Sequence, residues 1–247
     1  MDDSRLSRIA AAVVEAVYPR LELKKMVKSE AGQEIQVWVV DGEYIRTYLD
    51  IEYTNFGQHG RFPFIPEFEF WLDKEGENDE ADFFIAHLKV EWEAMQAGKP
   101  YTTAIVEADR EEMKLRRKDP DIKKMIDPKR KLVDPKRCKK RLLKALKNGV
   151  KVYLVDGKLV RSVLDVDFTA GAHEFVYSWT PPGEVWIDND IEWQERGYVI
   201  LHELNERNLM EEGWVYDDAH ANSSALELKC RKNPEELQDA LIEVGWA

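Results

Sequence analysis

His202-Glu203-Leu204-Asn205-Glu206, followed by His220, brings together the residue types that hold and use a divalent metal. On a helix His202 and Glu206, at i and i+4, lie on one face a turn apart, the spacing by which a helix offers two ligands to one ion. Two imidazoles and one carboxylate with an open fourth position make the ligand count of a catalytic zinc site, where the metal brings the pKa of a bound water towards neutrality. A second carboxylate must take the water's proton, and Glu203 is the candidate base. His173, in Thr169-Ala170-Gly171-Ala172-His173-Glu174, reads as a loop residue that either stays at the surface or enters the cleft as a donor to the transition state.

These groups converge only if the chain folds back on itself. Asp188-Asn189-Asp190 offers N-cap side chains for a helix running to about Glu212, stopped by Gly213, and a second helix should begin at Asp217 or Asp218 and run to about Arg231. Glu206 lies 7 residues before Gly213 and His220 lies 7 after it, so in an antiparallel pair, at about 1.5 Å per residue, they reach the same height. His202 then lies level with Ser223 and Ser224, and Glu227, two turns beyond His220, could partner it. Upstream, Asp134-Pro135, Lys136 to Lys147 and Asn148-Gly149 carry helix start and stop signals. Val150 to Val155 and Leu159 to Phe168 read as a hairpin around Asp156-Gly157, and Glu184 to Asp188 as a third strand after Pro181-Pro182-Gly183.

The same order recurs earlier in the chain. Residues 37–112 and 152–227 align without a gap at a constant offset of 115. Val40-Asp41-Gly42 returns as Val155-Asp156-Gly157 and Trp71-Leu72-Asp73 as Trp186-Ile187-Asp188. His87, Glu91, Gly98, Tyr101 and Glu112 return as His202, Glu206, Gly213, Tyr216 and Glu227, but Leu88 stands for Glu203, Ile105 for His220 and Gln58 for His173. The expectation is an α+β fold made by tandem duplication of a helix–three-strand–two-helix unit with mainly antiparallel sheet. Residues 1–112 would be a degenerate copy, 113–150 a basic linker and helix, and 151–247 the copy with the metal site.

One family shares these features. Val185-Trp186-Ile187-Asp188, then Tyr198-Val199-Ile200-Leu201-His202-Glu203-Leu204, resembles the strand, turn and active-site helix of zincin-type metallopeptidases, most of all the ImmA/IrrE-type group. The resemblance covers residues 184 to 231. It implies a zinc peptidase with a zincin-like C-terminal half, in which His202 is the first ligand and Glu203 the general base. Two positions depart from the family: Glu206 stands where it has its second His, and His220 lies on the helix where it has a Glu. The exchange keeps two His and one Glu while swapping which helix supplies which.

Charge and composition set the surroundings. Residues 113–150 hold 16 Lys or Arg against 4 Asp, a net +12 that leaves -24 on the other 209 residues. Nucleic acid could bind this segment, but it has no aromatic residue to stack on a base, which favours a solvated connector complementing the acidic halves. Cys138 and Cys230 form no CxxC and read as free thiols in a reducing compartment. The N-terminus Met1-Asp2-Asp3-Ser4-Arg5 lacks signal-peptide character, and no window approaches the ~18 apolar residues of a membrane span, so a cytoplasmic location is expected. The function expected is hydrolysis of a peptide or protein substrate, basic ones included, by the C-terminal copy. The alternative is a non-catalytic protein–protein binding module whose acidic faces hold a basic partner.

Overall fold

Strand alternation explains the layering. In the strand Glu184–Asp188 successive side chains point to opposite faces. Val185 and Ile187 join one buried apolar cluster with Leu201 and Leu204, while Trp186 joins another with Val160 and Phe168. A strand with apolar residues on both faces must be covered on both, so each sheet is the middle layer of its unit. The structure is a computed structural model that describes residues 19–76, 79–125 and 134–246; the N-terminal pentapeptide read above lies outside them. The chain divides into two compact units, Met1–Glu112 and Met113–Ala247.

The first unit contains β1 (Arg20–Lys28), β2 (Glu34–Val40), α1 (Gly42–Tyr48), β3 (Phe56–Gln58), β4 (Glu69–Asp73), α2 (Ala81–Gln96) and, up to Glu112, α3 (Tyr101–Arg116). Its four-stranded sheet has the order β1-β2-β4-β3, with β2 and β4 parallel and both outer pairings antiparallel. The second unit contains α4 (Pro120–Met125), β5 (Lys139–Ala145), β6 (Lys151–Val155), α5 (Gly157–Val163), β7 (Gly171–His173), β8 (Glu184–Asp188), α6 (Arg196–Glu211), α7 (Tyr216–Lys232) and α8 (Leu237–Glu243). Its sheet has the order β5-β6-β8-β7, with β6 and β8 parallel and the outer pairings antiparallel.

Equivalent side chains make equivalent contacts in the two units. Arg46 Nη1 lies 2.6 Å from Asp73 Oδ2, and Arg161 Nη1 lies 2.6 Å from Asp188 Oδ2. Trp71 Nε1 donates to Glu69 at 2.8 Å, and Trp186 Nε1 to Glu184 at 2.8 Å.

Several sequence expectations are corrected. Lys136 to Lys147 is not a helix: a single 3-10 turn, Pro135–Cys138, leads into β5, which pairs antiparallel with β6 through two register shifts. The Leu, Lys and Ala of this stretch favour a helix locally, and the ladder to β6 overrides them. Among the described residues each unit therefore has four strands rather than three. Asp156-Gly157 is not a hairpin turn either. The Asp156 carboxylate accepts from Leu159 N at 3.0 Å and caps α5, while β6 pairs with the distant β8. Within the basic segment, β5 belongs to the second unit's sheet, and Lys139 and Lys140 are paired with Glu184 and Asp156. Cys138 and Cys230 are free and buried. Among the described residues no helix is long and apolar enough to cross a membrane.

Candidate metal centre

The site is built on α6 and α7. On one face of α6, Val199, Ile200, Leu201 and Leu204 are buried in the core of the second unit. Each such side chain contributes roughly 1.5–3 kcal/mol by leaving water, which anchors the helix to the sheet. The adjacent face, bearing His202 and Glu206, is thereby turned towards α7. The expected capping of this helix by Asp188-Asn189-Asp190 does not occur: α6 begins at Arg196, and the Asp188 carboxylate is taken by Arg161 and by the backbone N–H of Asp190. The helix ends as expected. Gly213 has φ 99°, Gly213 N bonds to Met210 O and Trp214 N to Leu209 O, both at 3.0 Å, a glycine-terminated turn from which α7 runs back along α6.

This reversal brings His220 to Glu206. His220 Nδ1 lies 2.7 Å from Glu206 Oε2, His202 Nε2 lies 3.4 Å from the same oxygen, and the two imidazole nitrogens are 3.2 Å apart. Donors on a tetrahedral zinc, with bonds of about 2.0–2.1 Å, are about 3.3 Å from one another. Two edges of the observed triangle match that spacing and the third is shorter by about 0.6 Å, so slight separation of Glu206 and His220 is all that an ion would require. Among the described residues, His202, Glu206 and His220 are the group with metal-holding geometry.

Partners fix each donor. His202 Nδ1 lies 2.9 Å from Glu227 Oε2, which assigns the Nδ1 proton to that contact and leaves Nε2 facing Glu206 and His220. Glu227 in turn accepts from Arg231 Nε at 2.9 Å, and Arg231 Nη1 donates to Glu195 at 2.8 Å. The Glu206 Oε1 atom is 2.9 Å from His173 Nε2. His173 is not on a surface loop: it lies in β7 and is fully buried. The Tyr216 ring stacks on His220 at 5.3 Å. Glu206 makes no pair with its neighbour Arg207, which binds Glu174 and Glu211 instead.

The electrostatics divide the two carboxylates. For Glu206 burial opposes ionisation, but hydrogen bonds from His173, His202 and His220 outweigh it and hold the group well below the usual carboxylate range. For Glu203 burial dominates and raises the pKa to about 7, against the lowering pull of His173 and His202. A carboxyl poised there can both accept and release a proton near neutrality. For His202, burial disfavours the charge, yet hydrogen bonds to Glu206 and Glu227 raise its pKa well above the ordinary value. Glu203 packs against Gly171 of β7, where an added Cβ would lie 2.5 Å from its Oε1. Only a residue without a side chain leaves room for the carboxyl.

The first unit shows half of this arrangement. His87 Nδ1 is 2.9 Å from Glu112 Oε2, His87 Nε2 is 3.4 Å from Glu91 Oε2, and Gln58 Nε2 donates to Glu91 Oε1 at 2.5 Å. Phe56, aligned with Gly171, sets its ring 4.9 Å from that of His87, and Leu88 is buried where the second unit has Glu203.

Sequence reasoning named His202, Glu206, His220, Glu203, His173 and Glu227, and the structure places these side chains close together. It missed Gly171, Arg231 and Glu195. The i, i+4 spacing of Glu227 and Arg231 was an available signal, whereas the Arg231–Glu195 pair spans 36 residues and leaves no local trace. No protein-family model matches the chain, and no curated protein and no solved structure matches it.

Proposed function

We propose that the second unit is a zinc-dependent hydrolase of the metallopeptidase kind. The first unit, on this view, is a copy of it made by tandem duplication that has lost the machinery. The observation that carries the proposal is the triangle of His202 Nε2, Glu206 Oε2 and His220 Nδ1, with edges of 3.2, 3.4 and 2.7 Å, beside the partly buried Glu203. Nitrogen and carboxylate donors in this number suit zinc with a position left for substrate or water. A zinc ion held there would supply Lewis acidity. The chain's own residues do the rest: Glu227 sets the ring of His202, and Glu203 takes the proton of the attacking water and returns it to the leaving nitrogen. The His202-Glu203 pair on α6 after the strand β8 is what the resemblance to zincins rests on, and it favours a peptide bond as the target. In the first unit the base position is Leu88 and the third-donor position Ile105, so activity belongs to the second unit alone.

A different function is favoured by one observation. The His87–Glu91–Glu112 network persists without a base or third donor and ties α2 to α3 as a strut. If His202 and Glu206 act only in that way, the chain is a non-catalytic protein–protein binding module. Incubation with a fluorescence-quenched peptide library separates the two. The hydrolase cleaves, loses activity to a zinc chelator, and is slowed about 10²–10⁴-fold by Glu203→Gln. Peptide capture without cleavage, unaffected by chelator, belongs to the module.

A further inference from the structure

We propose that His173 is a positioning residue that acts on the metal centre through Glu206, and that it is not itself a ligand; this rests on the metal-site proposal above. The His173 ring is fully buried on β7, with Nε2 2.9 Å from Glu206 Oε1. Its other nitrogen, Nδ1, accepts the backbone N–H of Phe175 at 3.3 Å. A neutral imidazole carries one proton, so an accepting Nδ1 places that proton on Nε2. Nε2–H then donates to Glu206, and a protonated nitrogen has no lone pair for a metal.

The consequence is a division of labour between the oxygens of Glu206. Oε1 is held by His173, and Oε2 is the one that meets His220 and His202. Left alone, a carboxylate on a long side chain rotates about a broad, two-fold terminal torsion and offers either oxygen or both. The donor that prevents this sits on a strand paired with β8, so its position is set by the sheet rather than by a mobile loop. The first unit supports the assignment, because Gln58 holds Oε1 of Glu91 with an amide N–H. What the position supplies is a donor of fixed direction, and an amide and an imidazole deliver it equally.

Cobalt(II) is the probe, titrated into the metal-free full-length chain and read by its visible absorption bands and by competition with a chelator of known affinity. His173→Leu fills the ring's volume without a donor and should bind cobalt about 10–100-fold more weakly, with altered bands. His173→Gln should restore the native affinity and bands. The proposal is overturned if His173→Leu binds as tightly as the native chain with unchanged bands. It is equally overturned if a folded His173→Gln fails as badly as His173→Leu, because His173 would then be a ligand. Should His173→Leu not fold, His173→Asn, whose amide is too short to reach Glu206, takes its place with the same expectations. A native chain that binds no cobalt removes the metal site itself, and this inference with it.

Discussion

A methyl group at Gly171 tests whether Glu203 is seated where a base must be. The Cβ of an alanine there would lie 2.5 Å from Glu203 Oε1 and 2.6 Å from both Cδ and Cγ. Unstrained carbon contacts are about 3.5–4.0 Å, so either the strand or the glutamate must give by about 1 Å. Swinging the carboxylate alone does not clear the clash, because Cγ is as close as Cδ. Overpacking of this kind costs about 1–3 kcal/mol. Gly171 does not have a positive φ, so in a Glu203→Ala background the same substitution should be neutral or should stabilise by about 0.4–1 kcal/mol through the unfolded chain. The sign of its effect therefore reverses, and the coupling energy of the double-mutant cycle is about 1–4 kcal/mol. Urea unfolding of the native chain, both single variants and the double variant measures it. With m of about 2 kcal/mol/M, Gly171→Ala alone should lower the midpoint by about 0.5–1.5 M. A base displaced by about 1 Å should also slow hydrolysis about 100-fold while metal affinity is kept. An equal cost of Gly171→Ala in both backgrounds refutes the reasoning, as does loss of metal binding in that variant.

Three further outcomes are expected. At His87 burial opposes the charge, but hydrogen bonds to Glu112 and Glu91 outweigh it and raise the pKa from 6.5 to about 9. Its contribution, up to ~3 kcal/mol, is thus fully present below pH 6.5 and is lost as the pH rises through about 9. Native and His87→Gln chains, compared by denaturant titration from pH 6 to 10, should differ most at the acid end; a difference independent of pH would contradict this. Glu227→Gln should weaken zinc binding about 10–100-fold, measured by chelator competition, because His202 loses the anion that orients it; unchanged affinity would show the contact to be idle. Zinc at a free concentration of about 100 times its dissociation constant should stabilise the second unit by about 2.7 kcal/mol, and chelation should reverse this in a thermal melt.

What was legible in the sequence was local. The i, i+4 pair on α6, the glycine that ends it and the equal counts to Glu206 and His220 depend only on helix periodicity and one positive φ; they put the two residues at one height, and in the structure His220 Nδ1 lies 2.7 Å from Glu206. What was not legible depended on partners far along the chain. Lys139–Ala145 carries helix-forming residues and becomes a strand because β6 offers it a ladder. Asp156-Gly157 has hairpin chemistry, yet the strand that pairs with β6 in parallel arrives only at Glu184, and the aspartate caps a helix instead. His173 looked like a loop residue because its strand has only three residues, too few for any alternation to show. Gly171 carried no signal at all until the Glu203 side chain was seen against it.

The central claim is tested most directly by counting metal. Protein purified without an affinity tag, native and His202→Ala, is analysed by mass spectrometry for metal content. One zinc per chain in the native protein and none in a folded His202→Ala is the expected result. No transition metal in the native chain, or the same zinc content in both, contradicts a metal centre at His202, Glu206 and His220.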